Sequence, residues 1–95
     1  MRTLILATVL IFLAACGAKP PVQEMAEART AVETAQAIEK SSVPADRELK
    51  SAEQALQEAS EAIEMQQYEK ARALAIRAKL KAQKAAHLKQ VSDSK

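Results

Sequence analysis

From residue 22 onward, apolar positions recur at three- and four-residue intervals, the spacing that places side chains on one face of an α-helix. Met25, Ala28, Ala31, Val32, Ala35 and Ile38 form the first such face and predict a helix over 22–40. Ala45, Leu49, Ala52, Leu56, Ala59 and Ile63 form a second, in alternating steps of four and three, and predict a helix over 44–66. Ala71, Leu74, Ala75, Ala78, Ala82 and Ala85 form a third, over 68–90, and residues 91–95 read as a frayed tail. This last helix carries another apolar strip, Ala73, Ile76 and Leu80, well around from its main face.

The breaks between these segments differ in clarity. Ser41-Ser42-Val43-Pro44 ends the first helix, because the residue before a proline avoids the α region. Ser42 is placed to cap the second helix, with Pro44 in its tolerant first turn. Gln66-Gln67-Tyr68 contains neither Gly nor Pro. A tight turn there is preferred, since the apolar seam changes phase, but one helix from Pro44 to Gln90 is the alternative. Three helices of similar length with short connections predict an all-α, antiparallel, coiled-coil-like three-helix bundle over 22–90. Alanine faces let helices approach closely, so the core depends on a few larger groups: Leu49, Leu56, Ile63, Leu74 and Tyr68.

The opening pattern is different. Leu4 to Ala15 is an apolar run of twelve residues after Arg2, interrupted only by Thr8. A bilayer-spanning helix needs about 20 such residues, so the run reads as a cleaved signal peptide, residues 1–15. It ends in Leu13-Ala14-Ala15-Cys16, which resembles the bacterial lipobox. That resemblance implies a diacylglycerol on the Cys16 thiol, cleavage before Cys16 and anchorage to a membrane through the lipid. Gly17 in place of an aspartate implies, by the same likeness, the outer membrane, with the domain facing the periplasm. Residues 16–21, ending in Pro20-Pro21, then form a short extended tether.

Composition agrees with this picture and narrows the chemistry. The chain has 95 residues, with 21 alanines, one Gly, one Cys, one His and no Trp. With Cys16 lipidated, no disulfide is available, and no second thiol exists. His87, between Ala86 and Leu88, reads as a surface residue. The carboxylates of the second helix lack His or Cys neighbours and read as a solvated face. One Gly leaves no phosphate-cradling loop. No catalytic residue, metal site or cofactor is therefore expected, nor a small-molecule substrate, and the protein is not expected to be an enzyme.

Charge is near balance at +2 but unevenly placed. Residues 51–64 hold four acids (Glu53, Glu58, Glu61, Glu64) and no base, whereas residues 70–89 hold seven bases and no acid. Lys70, Arg77, Lys81 and Lys84 form one stripe of the third helix, and Arg72 and Lys79 another, flanking Ile76. Two readings stand: these cations pair with the acidic second helix, or they contact an anion or a partner. Nucleic acid is disfavoured by export, by the scarcity of aromatics and by the low net charge. The strip Ala73, Ile76 and Leu80 likewise admits two readings, a third helix seated centrally in the bundle or a contact with another chain, either an envelope protein or a second copy.

Three stretches resemble a bacterial family, domain-of-unknown-function family 4398, across about Ala26 to Gln90: Ala35-Gln36-Ala37-Ile38, then Pro44-Ala45-Asp46-Arg47-Glu48-Leu49, then Tyr68-Glu69-Lys70-Ala71-Arg72-Ala73-Leu74-Ala75. The likeness implies a small alanine-rich lipoprotein or periplasmic helical domain and supplies no activity. Some relatives carry a peptidoglycan-binding domain after the helices; that function is not expected of a chain whose sequence stops at Lys95. The sequence thus points to a lipid-anchored helical interaction or structural module. The alternative is an envelope tether of the Braun lipoprotein kind, joined to peptidoglycan through Lys95. Pro44 and the absence of Tyr-Arg before Lys95 depart from that pattern.

Overall fold

The computed structural model describes residues 19–93. Residues 1–15, expected to be a signal peptide, lie outside the described residues, as do Cys16 and Lys95. Three helices follow in order: α1 (Val22–Ala37), α2 (Val43–Glu64) and α3 (Tyr68–Asp93). They form a three-helix bundle in which α3 packs against both others, most extensively against α2, while α1 and α2 touch least. Ion pairs and hydrogen bonds set the directions. Glu48 of α2 meets Lys81 and Lys84 of α3, and Gln36 of α1 meets Glu53 of α2, as antiparallel neighbours do. Glu24 with Arg72, Glu27 with Lys79, and Ala35 with Lys89 advance together, so α1 and α3 run parallel.

Each boundary has a local cause. Pro21 begins α1: its carbonyl accepts from the Met25 amide at 3.0 Å and its ring is fully buried, so the last tether residue is part of the bundle. Helix α1 stops at Ala37, short of the expected Lys40, because Ile38 turns to extended backbone (φ −76°, ψ 115°). The Ala35 carbonyl, which also accepts from the Ile38 amide at 3.3 Å, and the Ile38 carbonyl both accept from the Lys89 ammonium of α3. Ser42 caps α2, its Oγ accepting from the Ala45 amide at 3.3 Å, with Pro44 in the first turn.

The α2–α3 boundary is a turn. Gln66 adopts a left-handed conformation (φ 59°), its amide donates to Ile63 O at 2.9 Å, and the Gln67 amide donates to Ala62 O at 2.8 Å. These two bonds make a Schellman motif with glutamine where glycine is usual. The Gln67 carbonyl then accepts from the Ala71 amide and opens α3. At the other end α3 continues to Asp93, so residues 91–93, expected to fray, are helical. Those residues extend the helix without a Gly or Pro to stop it.

The core is built mainly of alanine. Ala28, Ala35, Ala45, Ala52, Ala59, Ala71, Ala75, Ala78, Ala82 and Ala85 have no exposed surface. The larger groups are distributed differently from the sequence expectation. Of the five expected to fill the core, only Leu74 is buried; Leu49, Leu56, Ile63 and Tyr68 are half-buried. Alanine-on-alanine contact draws the helices together and leaves room inside for few larger side chains, so most of the branched ones are displaced. They lie instead along the seam edges, packed against the alanines. The volume that remains inside is taken by Met25, whose unbranched chain fills irregular space, and by Val32 and Pro21.

Candidate basic-apolar face of α3

Helix α3 touches α1 and α2 with one side and leaves the other open. The central position of α3 therefore does not bury its second apolar strip. Ile76 is 45% and Leu80 59% exposed, and Ala73 is exposed beside them. With Arg77, Lys81 and Lys84 these three residues line a shallow groove of about 390 Å³. The lining contains three cations and no carboxylate.

The cations of α3 fall into two groups by partner. On the α1 side, the Arg72 guanidinium donates through Nε to Glu24 at 3.3 Å and through Nη1 to Glu69 at 2.6 Å, and Lys79 Nζ lies 3.4 Å from Glu27. On the α2 side, Lys81 and Lys84 each lie 3.2 Å from a different oxygen of one carboxylate, Glu48. The ammonium groups of Lys84 foremost, then of Lys81, hold the Glu48 carboxyl below its ordinary value of 4.5. Glu48 Oε2 is closed off from solvent and meets Lys81 as an ion pair outside hydrogen-bonding geometry. Arg77 has no carboxylate within ion-pair distance among the described residues; it borders a small pocket with Glu58 and Gln54.

The cations thus pair mostly within the fold, but with other acids than the acidic run of α2. Glu53, Glu58, Glu61 and Glu64 are all exposed, and Glu53 accepts from Gln36 of α1 at 2.8 Å. The acids that meet α3 are Glu24, Glu27 and Glu48, together with its own Glu69. Lys70 sits at the α2–α3 turn, lining a small pocket with Glu58, Glu61 and Met65. His87 is exposed.

Nothing in the residue pattern sets Lys89 apart from the other cations of α3. It is 4% exposed, the one buried charged side chain among the described residues, and its role is structural. A second groove, about 460 Å³, runs between α1 and α3 over Ala26, Ala31 and Ala86, with the Glu27 and Lys79 pair in its lining. Its lining also includes the polar side chains of Thr30, Thr34 and Gln83. Among the described residues no group of three or more His, Cys, Asp or Glu is placed to hold a metal, and no helix is long and apolar enough to cross a membrane.

A family model described as Domain of unknown function (DUF4398) matches residues 23–95, which takes in all of α2, all of α3 and nearly all of α1. No curated protein matches the chain, and no solved structure does.

Proposed function

The chain belongs to the DUF4398 family, whose function is unknown, and we propose that it is a non-catalytic helical interaction module, held at a bacterial envelope membrane by lipid on Cys16 and docking on a partner through the open face of α3. The observation that carries the docking role is the exposed pair Ile76 and Leu80, set in a cation-lined groove on the helix that organises the bundle. Two large aliphatic side chains left in water at i and i+4 on one helix form a ridge of the kind that packs against a second helix.

Support for the location comes from the sequence, in the apolar run from Leu4 and the Leu13-Ala14-Ala15-Cys16 motif. Because Pro21 is buried against the bundle, only residues 17–20 separate it from Cys16. Four extended residues reach about 14 Å. A lipid on Cys16 would therefore hold the end of the bundle containing the α2–α3 turn near the bilayer, and α3 would lead away from it. The open face would remain available along the length of α3 to a protein beside it.

Two experiments test the reading. Palmitate labelling of cells expressing the wild type or Cys16→Ser, followed by membrane fractionation, is expected to show label and membrane retention for the wild type only; label on neither would refute the anchor. Photo-crosslinking in cells from position 76, with Gln57 of α2 as the control position, is expected to give a defined product from α3 alone. The same pattern from both positions, or no product, would refute docking through α3.

A further inference from the structure

The strip Ala73, Ile76 and Leu80 has two unlike flanks. On the α1 side the cations Arg72 and Lys79 are matched by Glu24, Glu69 and Glu27. On the α2 side Lys81 and Lys84 share one carboxylate, and Arg77 has none within ion-pair distance among the described residues. Even with Glu58 bordering the same small pocket as Arg77, three cations here outnumber the carboxylates, while the opposite flank sets three carboxylates against two cations. The apolar positions between them follow steps of three and four, the register of a helix-packing seam.

From this asymmetry we infer that the occupant of the open face of α3 is an acidic amphipathic helix of another protein, with an aliphatic ridge for Ile76 and Leu80 and carboxylates along the flank that meets Arg77 and Lys84. The inference rests on the docking role proposed above and specifies the chemistry of the partner. Charge complementarity selects this occupant over two others. In an antiparallel pairing of two copies through this strip the Arg77 flank faces its own equivalent and cations meet cations; in a parallel pairing it faces the Arg72 and Lys79 flank, whose carboxylates are already engaged by that flank's own cations. An anionic bilayer has no register to match the three-four ridge and would be served equally by either flank, whereas only one carries excess positive charge. Carboxylates set along one edge of a helix answer both features. The acidic helix gains ion pairs that are missing within the bundle, and its apolar ridge covers the aliphatic pair.

The test uses the full chain in nonionic detergent and two fluorescein-labelled helical peptides of about 21 residues, long enough to span α3. Both have a leucine seam; one carries Glu along one flank and the other carries Lys there. Tighter binding of the Glu peptide by at least about tenfold is expected, with weakening as salt rises from about 50 to 300 mM. Arg77→Glu and Leu80→Glu are each expected to lower that affinity about tenfold or more. Both side chains are exposed, so circular dichroism should show unchanged helicity, and Gln57→Glu on α2 should leave binding intact. Equal affinity for both peptides, or binding of neither, would overturn the acidic-helix assignment. So would a Leu80-dependent dimer in light scattering, which would assign the face to a second copy. A dye on Gln83→Cys that shifts in phosphatidylglycerol vesicles but not in phosphatidylcholine ones, with no peptide binding, would assign it to the membrane. If neither peptide binds yet position 76 still crosslinks to a protein in cells, the docking role stands and only the acidic partner falls; if crosslinking fails as well, both fall.

Discussion

The ammonium of Lys89, near the end of α3, lies 2.9 Å from the carbonyl oxygen of Ala35, in the last turn of α1. A second bond, 3.1 Å to Ile38 O, completes a cap supplied from 51 residues away. The last carbonyls of a helix have no partner of their own, and they carry the negative end of its dipole, so a buried cation is well matched to them. Lys89→Met keeps the aliphatic stem but takes the ammonium from both carbonyls, leaving Ala35 O only the Ile38 amide at 3.3 Å. A loss of about 1–3 kcal/mol is expected, read as a lower urea midpoint by circular dichroism. An unchanged midpoint would show that water replaces the ammonium without cost.

At Gln66 the left-handed backbone disfavours any residue with a Cβ. Gln66→Gly is expected to raise stability by up to about 1 kcal/mol, reduced by the greater freedom glycine has when unfolded. Gln66→Val should lower it, because a β-branched residue tolerates positive φ least. Thermal melts of the two variants check the order; a more stable valine variant would contradict the turn.

The alanine core makes enlargement costlier than truncation at the surface. Ala75 has no exposed surface and lies in the cluster with Met25, Ala59 and Leu74. Ala75→Leu is expected to cost about 1–3 kcal/mol or more by forcing helices apart. Leu80→Ala, which removes an exposed side chain, should cost less than about 0.5 kcal/mol. Chemical denaturation of the pair measures the contrast, and equal losses would argue against close alanine packing.

Glu48 predicts a pH dependence. Its carboxyl is held below 4.5 by Lys84 and Lys81, so its pairing stabilises the fold above about pH 4.5 and is lost as pH falls through the lower folded value. In melts between pH 7 and pH 3, the difference between wild type and Glu48→Gln should be present at neutral pH and vanish at the acid end. A constant difference across the range would assign the effect to packing.

Much of the bundle is legible in the chain because its causes are local. Ser42 and Pro44 announce the start of α2 through a hydroxyl and a missing amide proton, and the three- and four-residue spacing of alanines marks each inner face. The α2–α3 turn is less legible because its C-terminal position holds Gln66, and the Schellman bonds to Ala62 and Ile63 form without the glycine that usually signals them. Which acids meet the basic helix was illegible. The run from Glu53 to Glu64 has the greater charge density, yet its side chains are exposed, and the ion pairing across the bundle falls to Glu24, Glu27 and Glu48.

Helix type, number and inner faces follow from residue spacing and propensity, which act within a few residues and so can be read along the chain. The same holds for the chemistry of the open face: Ala73, Ile76 and Leu80 are visible as a second strip in the sequence alone. Only the tertiary structure decided that α3 sits between the other two helices and still leaves that strip in water. It likewise decided that the cations on one flank are matched and those on the other are not, and that Lys89 closes α1. Each of these depends on which distant residues arrive beside one another, a matter of packing between helices far apart in the chain.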